Sequence, residues 1–129
     1  MTSGNHSDDE LIRYHPSASH PGWNEWSLLE RDAHRFNTML QPILTRGEAD
    51  GTATVRFIPS ARHSNVSDFL HGGALLAFLD IAMFAGARTL GILTAAAAVT
   101  ADIQVQFVPA GASTCPWMPP LKLCATRAA

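Results

Sequence analysis

Cysteine is nearly absent from this chain. Its two cysteines, Cys115 and Cys124, stand nine positions apart, which matches neither a CxxC redox pair nor a pair of zinc ligands. Charge is scarce as well, at 16% of residues with a formal net charge of −2. That excludes the basic surface on which a nucleic-acid binder's phosphate contacts depend. Met1 to Ser19 has no apolar run of the kind that opens a secretory signal, so a reducing, cytoplasmic setting is the expectation. What the chain has in quantity is apolar side chains, 47% of 129 residues. That is enough for one domain with a core and too much for a disordered chain.

One hydrophobic run, Leu70 to Leu90, has the length of a membrane span. Asp80 lies at its centre, where a charge costs about 2.5–3.5 kcal/mol on insertion scales. Gly72, Gly73 and Gly86 dilute the run further. The expectation is a core helix and no membrane partner.

Three parts are expected along the chain: a polar, flexible tail over 1–21, a domain over 22–111, and an atypical segment over 112–129. His6, His15 and His20 fall in the tail and read as solvated. From Glu25 to Leu40, Trp26, Leu29, Phe36 and Leu40 recur on one helical stripe, with Ser27 and Glu30 as a capping box or Asn24 as the cap. Gly51 to Ile58 alternates, with Ala53, Val55 and Phe57 on one side, and predicts a half-buried strand. Gly72 to Leu90 predicts a helix apolar all round and therefore buried, with Gly91 as its C′ residue. Ala98 to Val108 alternates again and predicts a second strand. Ala112 to Ala129, with Pro116, Pro119 and Pro120, leaves room for one short strand at most.

The chemistry concentrates at the start of the central helix. Gly72 and Gly73 leave backbone N–H groups bare at a helix mouth, where the dipole favours negative charge and a developing oxyanion can be held. Asp80 is a carboxylate inside an apolar helix, a costly choice unless the group is used. Arg88 lies two turns away, beyond the one-turn reach of a helical ion pair. Gly73 and Asp80 are seven residues apart, about 10.5 Å along a helix axis. One helix can hardly hold a carbonyl oxygen at the first and present its carbon to the second. Two antiparallel copies would solve this, so a homodimer with shared sites is expected.

Asn65, His71-Gly72-Gly73 and Asp80, followed by Val99-Thr100-Ala101-Asp102 and Gln106-Phe107-Val108-Pro109, resemble the hotdog-fold acyl-CoA thioesterases of the phenylacetate-pathway type. The likeness covers roughly Phe36 to Gly111. It implies an α+β fold in which an antiparallel sheet wraps a central helix, an acyl-CoA substrate, no metal or other cofactor, and a dimer or dimer of dimers. It implies Asp80 as general base or nucleophile and the Gly73 N–H as the group that polarises the carbonyl. His71 would orient the mouth or contact the thioester, Asn65 would place substrate or water, and Thr100 would position the attacking water. Gly72 and Phe84 are carried as substrate-binding residues, with Phe78 and Met83 as further candidates for the pocket.

Two departures bear on this. Related hydratases pair an aspartate with a histidine five residues on, and Ala85 stands there after Asp80, which removes that chemistry. Ala112 to Ala129 does not continue the family's long strands; it reads as a truncated or out-of-frame tail that leaves the sheet incomplete. A catalytically impaired remnant is the alternative that follows.

Overall fold

The computed structural model describes residues 12–28, 33–93, 99–106 and 121–126. Five strands form one antiparallel sheet in the order β1-β2-β3-β4-β5: β1 is Ile12–Pro16, β2 Asn24–Leu28, β3 Ile43–Gly47, β4 Thr52–Phe57 and β5 Leu121–Thr126. Among the described residues one α-helix, α1, spans Gly72–Thr89, and a short 3-10 helix spans Phe36–Leu40. The class is α+β, as expected.

β4 is the strand that the alternation predicts. Ala53, Val55 and Phe57 are buried, and Thr52, Thr54 and Arg56 between them are partly exposed. A tight hairpin joins it to β3. Gly51 takes φ +81°, a left-handed value that glycine adopts without a Cβ penalty. Glu48 accepts from the Thr54 hydroxyl at 2.8 Å and from Arg46 at 2.9 Å. Those bonds, Thr54's first and Arg46's second, hold the Glu48 carboxyl below its ordinary range. Bonds from Thr52 do the same for Asp50. A depressed folded-state pKa gives stability that is present above the unfolded pKa and lost as pH falls through the folded one. The hairpin is therefore expected to weaken on the acid side of the carboxylate range. Urea unfolding against pH should show a shallower acid-side loss in Glu48→Gln than in the wild type.

α1 lies across one face of β3, β4 and β5. Phe78, Ile81, Ala82 and Ala85, one helical stripe, are buried against Trp26, Leu40, Ile43, Val55 and Phe57. The helix ends in a Schellman arrangement. Ile92 N–H reaches Ala87 O at 2.9 Å, Gly91 N–H reaches Arg88 O at 2.9 Å, and Gly91 has φ +68°. On the far face of the sheet the Trp23 ring lies 4.4 Å from the Arg46 guanidinium carbon and 5.7 Å from that of Arg56.

Several expectations are corrected. Residues 12–16 of the expected tail are a strand, and His15 pairs across to Glu25 at 3.6 Å; residues 1–11 lie outside the described residues. Within the expected helix over 25–40, residues up to 28 are strand β2, 33–34 are a turn and 36–40 are the 3-10 helix; 29–32, with Leu29 and Glu30, lie outside the described residues. Pairing with β1 and β3 and burial of Trp26 override the local spacing. Of the strand expected over 98–108, residues 99–106 are in no regular element, and Val99 is 84% exposed. The β4 edge is filled instead by β5, in register from Thr52↔Thr126 to Phe57↔Leu121. The C-terminal segment thus supplies the one short strand for which its prolines leave room; the rest of 112–129 lies outside the described residues. Finally, α1 is not buried all round. Leu76, Asp80, Met83 and Ala87 form the stripe turned away from the sheet; Met83 is 39% exposed.

Candidate active site

His71 is the N-cap of α1, extended at φ −65°, ψ 131°. Its backbone is pinned on both sides: its N–H donates to His63 O at 2.8 Å, and its carbonyl accepts from Ala74 N–H at 2.9 Å and Leu75 N–H at 3.1 Å. Its side chain caps the helix, Nδ1 accepting from Gly73 N–H at 2.8 Å, so the ring proton sits on Nε2. The expected donor at the mouth is therefore present but occupied. Gly72, the first helical residue, has an N–H with no partner among the described residues.

The loop leading to the mouth is closed on itself. Ser64 and Leu70 form a bridge, and Asn65 N–H donates to Phe69 O at 2.7 Å. The Asn65 carboxamide oxygen accepts from Ser67 N–H at 2.9 Å and Phe69 N–H at 3.2 Å. Asn65 thus shapes this loop, a local task of the kind its side chain performs well.

A cleft of about 360 Å³ opens beside the mouth. Phe36, Met39, Leu40 and Ala74 give it an apolar wall, and Arg62, His63 and Ser64 face them, with His71 and Gly73 also lining it. His63, which the sequence did not single out, ties these walls together. It is buried, its Nδ1 accepts from Ser60 N–H at 2.9 Å, and its Nε2–H donates to Met39 O. Its ring packs edge-on against Phe57, centroids 4.8 Å apart. No periodicity marks His63. Its only signal is a histidine two residues before Asn65, which carries little weight alone.

Asp80 stands elsewhere. It sits on the outward stripe of α1, half-buried, and Thr100 Oγ1 donates to its Oδ1 in a short hydrogen bond. Two residues drawn from separate segments, a helix and the chain beyond it, are brought together by this bond. Neither lines the cleft. Phe84 and Phe78 belong to the packing against the sheet and also do not line it, and Met83 lies on the outward stripe. The site residues thus form two groups: His71 and Gly73 with the cleft, and Asp80 with Thr100.

Residues 68–113 match the family model described as Thioesterase superfamily. The fold is that of a hotdog domain. The match carries His71, Gly73, Asp80 and Thr100, and begins after Asn65 and the β3–β4 hairpin. No curated protein and no solved structure matches the chain significantly. Thioester hydrolysis is the chemistry that this superfamily suggests in general. Among the described residues of the hotdog domain, α1 is the one helix long and apolar enough to cross a membrane, and it is the core helix of the sheet.

Proposed function

We propose that this hotdog domain hydrolyses an acyl-CoA thioester, as the phenylacetate-pathway enzymes it resembles do, at sites shared between two copies of the chain. The observation that carries the reading is the separation of the two groups. The Asp80–Thr100 pair lies on the outward face of α1, about 10.5 Å along the axis from a cleft that opens at the helix mouth. A second copy docked antiparallel on the outward stripe would bring its Asp80 to that cleft. Leu76, Met83 and Ala87 flank Asp80 there and supply the apolar contact. The α1 mouth would then polarise the carbonyl, and Asp80 would attack it or activate a water held with Thr100. The apolar wall of Phe36, Met39, Leu40 and Ala74 would take the acyl group.

The test is complementation. Asp80→Asn removes the carboxylate, and Gly73→Pro removes the N–H; the His71 ring, which a Cβ at position 73 would meet at 2.9 Å, has to turn aside to admit the proline. Each is expected to be inactive alone in a thiol-release assay over short, long and aromatic acyl-CoAs. After unfolding and refolding together, half the dimers are mixed and each holds one intact site, so about a quarter of wild-type activity should return. No recovery would rule out shared sites; no turnover by the wild type over the whole panel would favour the impaired remnant. Thr100→Val, which deletes the hydroxyl on Asp80, should lower kcat about tenfold to a hundredfold, the worth of a hydrogen bond to a charged group.

A further inference from the structure

The donor at the helix mouth is already engaged, and what engages it is a side chain with freedom to leave. Resting on the thioesterase reading, we propose that the His71 imidazole is a place-holder for the thioester oxygen, and that substrate gains the Gly73 N–H by turning the His71 ring out of the mouth. Three observations converge. The Gly73 N–H is held by Nδ1 at 2.8 Å. A Cβ on Gly73 would lie 2.9 Å from Nδ1 and 3.1 Å from Cε1, so the ring stands on the space that a carbonyl must enter. The His71 backbone is fixed by three hydrogen bonds, while its exposed ring makes one, to Gly73, among the described residues. The gate is one side-chain rotation on an anchored backbone, at the edge of the cleft.

This arrangement has a consequence for which state the mouth favours. A neutral thioester oxygen arriving at Gly73 exchanges one neutral hydrogen bond for another and gains little. An oxyanion makes a charge-assisted bond, roughly twice as strong as a neutral one. The exchange with Nδ1 therefore cancels the donor's help to the ground state and leaves its help to the transition state, which raises kcat without tightening substrate binding. His71 is a positioning residue in this scheme; Gly73 makes the contact.

Two arms at about pH 8, where an ordinary imidazole is neutral, test it. The first needs no ligand. In His71→Ala the Gly73 amide should shift in the NMR spectrum and exchange with solvent faster than in the wild type, and His71→Asn, which supplies another cap acceptor, should restore its protection. Unchanged Gly73 signals in a folded His71→Ala would overturn the proposal. The second arm measures binding of a non-hydrolysable ketone analogue of an acyl-CoA, together with KM. His71→Ala should bind the analogue roughly two- to tenfold more tightly, with KM falling alike, because the donor is already free; His71→Asn should return both toward wild type. Weaker or equal binding by His71→Ala would overturn the proposal. A protected Gly73 amide with no analogue bound by any variant would sink the thioesterase reading and reduce His71 to a helix cap.

Discussion

Asp80→Asn is expected to lower kcat by about 10²- to 10⁴-fold, the usual worth of a positioned general base, with little change in KM. The substitution keeps the size of the side chain, and its carbonyl oxygen can still accept from Thr100 Oγ1. It removes the negative charge alone. Asp80 is half-buried on the outward stripe of α1 and takes no part in the cluster that packs on the sheet. Folding should therefore survive, and thermal unfolding run beside the thiol-release assay would separate the two effects. A variant with wild-type kcat would remove Asp80 from the mechanism, and with it the case for a site divided between subunits.

Phe78→Ala is expected to cost about 3–5 kcal/mol of stability. Phe78 is 1% exposed and stacks on Phe57 at 5.5 Å between centroids, with the rings 28° apart. Phe57, also 1% exposed, meets the buried His63 ring edge-on as well. Truncating Phe78 opens a cavity at the point where helix, sheet and cleft wall meet. Against the 5–15 kcal/mol that typically holds a domain together, a loss of that size is about a fifth or more of the whole. The urea midpoint should fall accordingly. The Met39 and Ser60 contacts of His63 should loosen with it, so KM should rise in whatever fraction remains folded. A midpoint within error of wild type would mean that the aromatic stack does not carry the core.

The elements legible in the sequence are those whose burial is one-sided and whose pattern is complete within a single segment. β4 alternates because one face meets α1, and α1 is bounded by a histidine cap and the left-handed Gly91. β3 could not be read this way. Ile43, Leu44 and Thr45 are buried in succession, on both faces of the sheet, so the strand carries no alternation. The opposite failure is residues 99–106, which alternate cleanly but join no ladder among the described residues. Of the candidate site residues, His71, Gly73, Asp80 and Thr100 were legible as residue types at fixed spacing. The cleft was not. Phe36 and Met39 come from one segment and Arg62 and His63 from another, and only the folded chain relates them.

The pairing of β4 with β5 sets an order of events in synthesis. Phe57 lies opposite Leu121, roughly sixty residues further along the chain. The β3–β4 hairpin can form as soon as it emerges, since its partners are local. The β4 edge must then wait, unpaired, through the emergence of α1 and everything up to β5. Such long-range pairing is slow, and an open edge in the interval invites other strands. The first alternating stretch to emerge in that interval is 99–106 of the same chain, so β5 has to win its place against an earlier arrival.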